Sequence, residues 1–189
     1  MPPSALSSPT RAPVALITGA ARRIGAVIAR TLHAAGFDLV LHYQHSDEAM
    51  HALQESLEAE RPGSVLTLAA DLADPLTPVR LVDAALHRFG QLHALVNNAS
   101  SFKPTPVGQA SQGDWDQLFA SNARAPFFLS QAAAPALRIQ QGCIVNLVDV
   151  YAERPLPDHP IYCMAKAALV MMTQSLARDL GRGQRPDLA

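Results

Sequence analysis

The chain has 189 residues, of which 49% are hydrophobic and 16% are charged, and its formal net charge is −1 at pH 7. This length and composition predict one domain with a real core and exclude a disordered or fibrous protein. The charge balance gives no indication of a nucleic-acid or anionic-membrane partner, and no apolar run reaches the length of a membrane span. The two cysteines, Cys143 and Cys163, form no C-x-x-C pair, so neither a disulfide framework nor a metal site is expected.

Short apolar runs alternate with helical segments from Pro13 onwards. In chain order the pattern predicts strand 14–18, helix 23–36, strand 37–43, helix 46–60, strand 64–70, a helix from after Pro75 to about Phe89, strand 92–99, helix 112–137, strand 143–148 and helix 162–180. Strands without polar alternation, each followed by a helix, are typical of a parallel sheet covered on both faces. The predicted fold is therefore an α/β, Rossmann-like doubly wound parallel sheet.

The two ends of the chain do not share this pattern. Residues 1–12 lack the uninterrupted apolar stretch of a secretory signal, so a flexible tail and a cytoplasmic protein are expected. Residues 13–181 form the predicted nucleotide-binding and catalytic domain. Residues 182–189 show no strand pattern and are expected to be irregular, which leaves the fifth strand with a bare edge.

The loop from Thr18 to Gly25 joins the first strand to the first helix. Gly19 permits a tight turn, Gly25 permits close packing of helix on sheet, and the helix start offers free N–H groups to a pyrophosphate. A glycine pair in this context predicts a dinucleotide site. The second strand ends in the segment 42–46, with no acid before Asp47 to bind a ribose 2′-hydroxyl, so NADPH is the expected cofactor.

A tyrosine and a lysine lie one helical turn apart in the last helix, at Tyr162 and Lys166. An ammonium beside a phenol favours the phenolate, so this spacing predicts a lowered pKa for Tyr162 and a usable general acid. Asp149 follows directly after the fifth strand. Its enclosure by strand and aromatic surface predicts a raised pKa and a protonated fraction at neutral pH.

From Val14 to about Leu180 the chain resembles the short-chain dehydrogenase/reductase family. The matching motifs are the Thr18–Gly25 loop, Asp71-Leu72, Asn97-Asn98-Ala99, Asn122 and Tyr162-x-x-x-Lys166. The resemblance implies that Asp71 and its neighbour line an adenine pocket and that Asn98 and Ala99 support sheet and cofactor. It also implies that Asn122 holds a water linking Lys166 to solvent, and that Lys166 binds the nicotinamide ribose.

Two departures from the common family pattern are shared with the pteridine reductase branch. Arg23 replaces the second loop glycine, and Asp149 replaces the serine thirteen residues before the tyrosine. Further shared features are the segment 98–102 followed by Pro-Thr-Pro, and Arg-Pro-Leu-Pro before Tyr162. By this resemblance Phe102 stacks on a pterin, and Ser100 and Arg23 bind polar atoms of the pterin or of a cofactor phosphate. Gln44 and His45 stand where many members carry an arginine, so the 2′-phosphate is expected to rely on Arg22, Ser46 and His45.

The resulting prediction is an NADPH-dependent pteridine reductase that acts on dihydropterins and on folates. The predicted catalytic residues are Asp149, Tyr162, Lys166 and Asn122, and Tyr162, Lys166 and Asp149 are expected to form a proton relay to the substrate. The predicted cofactor-binding residues are Thr18, Gly19, Arg22, Arg23, Ile24, Gly25, His42, Tyr43, His45, Ser46, Asp71, Leu72, Asn98, Ala99, Ser100, Tyr162 and Lys166. The predicted substrate-binding residues are Arg23, Ser100, Phe102, Asp149 and Tyr162.

Two alternatives stay open: a short-chain reductase for another carbonyl or imine substrate, and a truncated, non-catalytic nucleotide-binding module. Family members continue into two further strands, a loop over the nicotinamide and a substrate-covering helix. The resemblance therefore implies a shortened member with impaired folding or activity. It also implies a homo-oligomer, a tetramer or a dimer, which associates through the exposed faces of the two long helices at about 114–135 and 162–180.

Overall fold

The computed structural model describes residues 11–181 of the chain. Within that range five strands form one sheet and six α-helices flank it. The elements in chain order are β1 Val14–Ile17, α1 Arg23–Ala34, β2 Asp38–Tyr43, α2 Asp47–Glu60, β3 Val65–Ala69, α3 Thr77–Phe89, β4 Ala94–Asn97, α4 Gln112–Phe119, a π-helical turn Ala120–Arg124, α5 Ala125–Ile139, β5 Cys143–Asn146, a 3₁₀ turn Val150–Ala152 and α6 Pro160–Gly181. Most of the expected tail 1–12, and all of the expected irregular end 182–189, lie outside the described residues.

The strands pair in parallel in the order β3-β2-β1-β4-β5. One core cluster packs α1 and α2 against one face of the sheet, and a second packs α3 and α5 against the other. All four residues of β1 are fully buried, which explains why its sequence shows no polar alternation. These findings confirm the predicted doubly wound parallel sheet.

The strand order reverses between β1 and β4, because the chain builds outward to β3 on one side and to β5 on the other. The loops that follow β1 and β4 therefore diverge at the carboxyl edge of the sheet, and a ligand crevice is expected there. Among the described residues β5 pairs with β4 alone, and Val145 on it is 45% exposed. The predicted bare edge is thus present in the described part of the chain.

The segment 112–137 was expected to form one continuous helix, and this expectation was wrong. A π-helical turn separates α4 from α5, and the Ala125 N–H donates to the carbonyl of Ala120, five residues back. Pro126 follows at once and has no amide hydrogen for the usual four-residue bond. Hydrophobic periodicity does not reveal such a one-residue shift, although π turns are common at functional sites.

Candidate active site

A cavity of about 410 Å³ opens at the carboxyl edge of the sheet, at the point where the strand order reverses. Loops after β1, β2, β3 and β4 and the start of the π turn contribute to its walls. The predicted cofactor residues that line it are Gly19, Arg22, Arg23, Ile24, Gly25, His42, Asp71, Leu72, Asn98, Ala99 and Ser100. Sequence reasoning missed Gln44, Ala73, Ser101, Gln117, Ala120 and Ser121 as further lining residues.

The two glycines of the phosphate loop have no space for a side chain. A Cβ added at Gly19 would lie 2.9 Å from the Cα of Ala99, and one added at Gly25 would lie 2.2 Å from the carbonyl oxygen of Gly19. Gly19 also has a φ of +62°, which glycine adopts without strain. Because α1 begins at Arg23, the N–H groups of its first turn have no helical partner and face an anion site. The loop therefore fits a pyrophosphate.

Two polar side chains fasten this loop to the end of β4. The Asn98 amide donates to the carbonyls of Thr18 and Gly19, at 2.9 and 3.0 Å. The Thr18 hydroxyl accepts the N–H groups of Asn98 and Ala99, both at 3.0 Å. Thr18 is 1% exposed and does not line the cavity, because its hydroxyl is engaged inside this junction. It supports the loop from behind.

The end of β2 differs in detail from the expectation. His42 and Gln44 line the cavity, whereas Tyr43, His45 and Ser46 do not. Successive residues of an extended strand point to opposite sides, so His42 and Gln44 share the side that faces the cavity. The roles of Tyr43, His45 and Ser46 toward a 2′-phosphate therefore stay predictions.

Three of the four predicted catalytic side chains, those of Asp149, Tyr162 and Lys166, lie together after β5 and on α6. The Tyr162 hydroxyl donates to Asp149 Oδ2 at 2.6 Å, and the Lys166 ammonium donates to the carbonyl of Leu147 at 3.0 Å. Lys166 lies 5.8 Å from the centre of the Tyr162 ring and is 3% exposed. Asp149 also accepts the N–H of Tyr151 at 3.0 Å, so the 3₁₀ turn fixes its carboxylate in place.

The charge states at this cluster are opposite to those predicted from the sequence. Burial acts to raise the pKa of the Asp149 carboxyl, but hydrogen bonds from Tyr162 and the Tyr151 N–H and the charge of Lys166 outweigh it, so this pKa lies below its usual value. Burial, and then the Asp149 carboxylate, raise the pKa of the Tyr162 phenol. Both predicted pKa directions were therefore wrong. The direct hydrogen bond from the Tyr162 hydroxyl to Asp149, which a proton relay between them requires, is present.

Phe102 lies next to the catalytic tyrosine, and its side chain is 56% exposed. Its ring contacts Tyr162 edge to face at 4.8 Å and stacks on His159 at 4.5 Å with 16° between the planes. The Thr105 N–H donates to the carbonyl of Asp158, which joins the loop after β4 to the loop before α6. Sequence reasoning missed His159. Its position three residues before Tyr162, a spacing that brings side chains together at the start of a helix, could have indicated this contact.

Asn122 lies in the π turn and holds the loop that carries Ser100. Its amide donates to the carbonyls of Ser101 and Leu118, each at 2.9 Å, and its oxygen accepts the Ser100 hydroxyl at 2.7 Å. The side chain is 1% exposed. A direct role for Asn122 is thus to position Ser100, while its predicted link to Lys166 through water stays a prediction.

A sequence model of the family described as short chain dehydrogenase matches residues 13–184. The chain belongs to the short-chain dehydrogenase/reductase family. Pteridine reductase 1 of Leishmania tarentolae is 41% identical over 92% of this chain and 73% of its own length. This similarity supports membership of the pteridine reductase branch.

Other members of the family are also similar. A short-chain type dehydrogenase/reductase of Picea abies is 34% identical over 88% of this chain and 65% of its own length. The 3-oxoacyl-(acyl-carrier-protein) reductase FabG of Staphylococcus aureus is 32% identical over 88% of this chain and 68% of its own length. The chain thus spans 65% to 73% of the length of these three relatives. Family membership supports a short-chain oxidoreductase with a nicotinamide cofactor.

Across residues 11–181 no helix is both long enough and apolar enough to cross a membrane. In the same range no group of three or more His, Cys, Asp or Glu side chains is placed to hold a metal ion.

Proposed function

We propose that this chain is an NADPH-dependent pteridine reductase that reduces dihydropterins and, by the same chemistry, dihydrofolate or folate. The observation that carries the proposal is the 2.6 Å hydrogen bond from the Tyr162 hydroxyl to the Asp149 carboxylate. A reductase of simple ketones needs only donors for a developing alkoxide at this point. A carboxylate beside the tyrosine is suited instead to protonation of a ring nitrogen.

The cavity residues fit a nicotinamide dinucleotide. The first turn of α1 and the glycine loop would hold the pyrophosphate, and the Asp71-Leu72 side of the cavity would hold the adenosine half. When bound, the nicotinamide supplies the hydride. Arg22 lines the cavity, and the adjacent end of β2 has no acidic residue before Asp47. A guanidinium without a competing carboxylate would favour the extra phosphate of NADPH.

The residues around Tyr162 would supply one proton to the substrate. Reduction of a C=N unit requires a hydride on carbon and a proton on nitrogen. That proton would come from Tyr162 Oη, since burial and then the Asp149 carboxylate raise the pKa of the phenol and keep it protonated before the reaction. From Tyr162 the proton would pass through the hydrogen-bonded Asp149 carboxylate to the ring nitrogen, and a proton from solvent would then restore the phenol. The Lys166 charge stabilises that carboxylate.

Phe102 would bind the flat ring of the substrate. Phe102 stacks on His159 and makes an edge-to-face contact with Tyr162, so the ring is fixed in place while 56% of the side chain stays accessible. An aromatic platform of this kind is suited to stacking with a heteroaromatic ring. Ser100 and Arg23 both line the neighbouring cavity and would supply polar contacts to its edge.

Consumption of reduced cofactor tests the proposal, with dihydrobiopterin and a β-keto ester as alternative substrates and NADPH and NADH as alternative cofactors. We expect turnover of dihydrobiopterin with NADPH, and a loss of that turnover in Asp149→Ser. Turnover of the keto ester alone would support a reductase for another carbonyl substrate. Tight NADPH binding with no turnover of either substrate would support a non-catalytic nucleotide-binding module.

We also propose a homo-oligomer that associates through α5 and α6. Phe127 on α5 and Met164 and Met171 on α6 are 40%, 44% and 61% exposed. Large apolar side chains on two helices, together with the surface that the family resemblance implies, support this face as the contact.

A further inference from the structure

The imidazole of His42 is bonded at both ring nitrogens by main-chain groups of two different loops. The Gly19 N–H donates to its Nδ1 at 3.3 Å, and its Nε2 lies 3.0 Å from the carbonyl oxygen of Ala70. Its own carbonyl accepts the N–H of Ala20 at 2.9 Å. The residue is 2% exposed. One side chain at the end of β2 thus contacts the loop after β1 and the first residue after β3.

These two partners allow only one state of the ring. A main-chain N–H can only donate and a carbonyl can only accept, so Nδ1 carries the lone pair and Nε2 carries the hydrogen. The imidazole is therefore neutral and has one tautomer and one orientation. Burial also lowers the pKa of His42, opposed by the bond to Ala70 and by the charge of Asp71.

The two partners of His42 belong to two different segments of the chain that line the nucleotide cavity. Gly19 begins the phosphate loop, while Ala70 directly precedes Asp71 and Leu72, which line the cavity. Gly19 uses its N–H for His42, so that group is not free for a phosphate. The N–H groups that remain for a pyrophosphate are those of the first turn of α1, whose position depends on the loop that His42 holds.

We propose that His42 is a positioning residue for the nicotinamide cofactor, which sets the phosphate loop and the Asp71-Leu72 segment at the separation the dinucleotide needs. It acts through Gly19 and Ala70, because these two groups engage both of its ring nitrogens and the side chain is 2% exposed. A site already held in its binding conformation loses less entropy when the ligand binds, so His42 contributes to affinity. The inference does not depend on the identity of the reduced substrate.

A second buried histidine provides a matched control. His33 is 3% exposed, and its Nε2 lies 2.8 Å from the Ser64 hydroxyl while its Nδ1 lies 3.5 Å from Glu60. Glu60 ends α2 and Ser64 directly precedes β3, and neither partner lines the nucleotide cavity. Loss of His33 is therefore expected to reduce stability without a change in cofactor affinity.

The test measures NADPH and NADH dissociation constants by calorimetry, and the urea midpoint, for the full chain and four variants. We expect His42→Leu to weaken the binding of both cofactors by about tenfold, which is about threefold for each of the two lost buried hydrogen bonds, while His33→Leu stays within about twofold. Asn reaches the position of Nδ1 and Gln that of Nε2. We therefore expect His42→Asn and His42→Gln each to keep one partner and to weaken binding by about threefold.

Two results would overturn the inference. One is a His42→Leu protein with a lower urea midpoint and unchanged cofactor affinity, since His42 would then be a core residue only. The other is an equal loss of affinity in His33→Leu, since general destabilisation would then explain the effect. If His42→Leu does not fold, His42→Asn and His42→Gln decide, and wild-type affinity in both contradicts the proposal. Nitrogen-15 NMR of wild type must also show an unprotonated Nδ1 and a protonated Nε2.

Discussion

The Tyr162 hydroxyl and the Asp149 carboxylate share a 2.6 Å hydrogen bond, while Lys166 donates to the Leu147 carbonyl. The tyrosine therefore has its closest polar link to the acid, although the lysine lies on the same face of α6. This arrangement separates two roles. Asp149 accepts the hydrogen bond of the Tyr162 hydroxyl, and the positive charge of Lys166 stabilises the Asp149 carboxylate. Each role gives a different expectation for substitution.

Asp149→Ser is expected to lower kcat for dihydrobiopterin by about 100-fold, the lower range for loss of a general acid–base group. NADPH affinity is expected to stay within about twofold, because Asp149 does not line the nucleotide cavity and its change costs no binding contact there. Steady-state kinetics and calorimetry measure the two quantities. Asp149→Asn serves as the matched control for shape, since it keeps a hydrogen-bond acceptor for Tyr162 but cannot take up the proton. Wild-type turnover in Asp149→Asn would contradict the proton role.

The pH dependence of stability follows from the same pair. The folded-state pKa of Asp149 is lowered, so its contribution is present above the unfolded value of about 3.9 and is lost as pH falls through the folded value. The folded-state pKa of Tyr162 is raised, so its contribution is present below about pH 10 and is lost as pH rises through the folded value. Urea unfolding across the pH range measures both limbs.

Two substitutions assign these limbs. In a plot of the free energy of unfolding against pH, Asp149→Asn is expected to reduce the slope on the acid side and Tyr162→Phe the slope on the alkaline side. Both variants are expected to leave the slope near neutral pH little changed. An acid limb that persists unchanged in Asp149→Asn would show that other carboxylates cause it. Asp114 is the foremost competitor, because a hydrogen bond from Lys103 and bonds from Ser111 lower its pKa to about 2.

Phe102→Ala is expected to raise the KM for dihydrobiopterin by about tenfold or more, since stacking on an aromatic side chain contributes about 1–3 kcal/mol per base. The kcat is expected to change less, because the Tyr162–Asp149 bond does not involve Phe102. His159→Phe keeps a ring stacked against Phe102 and is expected to retain the wild-type KM within about threefold. An unchanged KM in Phe102→Ala, measured with the same enzyme preparation, would exclude Phe102 as the substrate platform.

Much of the fold could be predicted from the sequence because the strands are buried on both faces. β1 carries only apolar residues, β2 carries the apolar run 39–41 at its centre, and each strand is followed by a helix, so both fit a parallel sheet covered on both faces. The glycines at 19 and 25 and the Tyr162–Lys166 spacing depend on local geometry and were equally visible. The π turn at Ala120–Arg124 was not, because it changes the hydrogen-bond register by one residue without a change of hydrophobic pattern.

The ionisation of Asp149 and the full set of residues that line the cavity could not be predicted from the sequence. Whether Asp149 is ionised depends on which donors reach it, and Tyr162 and Tyr151 do so only in the folded chain. Gln44 faces the cavity where His45 and Ser46 were expected, since the side on which a strand-end residue projects is set by pairing with the neighbouring strands. Both the ionisation of Asp149 and the orientation of Gln44 depend on contacts between residues that are distant in the sequence.

Arg23→Gly is expected to stabilise the fold and to weaken ligand binding. Arg23 has a φ of +49°, in the left-handed region that costs a non-glycine residue roughly 1–2 kcal/mol. Glycine removes this strain but adds freedom to the unfolded chain, so we expect a net gain of about 0.5–1 kcal/mol. Arg22→Gly is the control, because Arg22 has a φ of −140° and gains nothing from glycine. Urea unfolding compares the two, and equal effects would exclude strain at Arg23.

Met171→Glu is expected to disrupt the proposed oligomer without unfolding the subunit. Met171 lies on α6 and is 61% exposed, so a carboxylate there is solvated in an isolated subunit but is buried in a contact through this face. Light scattering is expected to show a smaller particle than wild type at equal concentration. Ile139→Glu provides the control, because Ile139 is 78% exposed at the end of α5 and lies outside the face defined by Phe127, Met164 and Met171. If both variants keep the wild-type mass, association through α5 and α6 is excluded; if Ile139→Glu alone dissociates, the contact lies at the far end of α5.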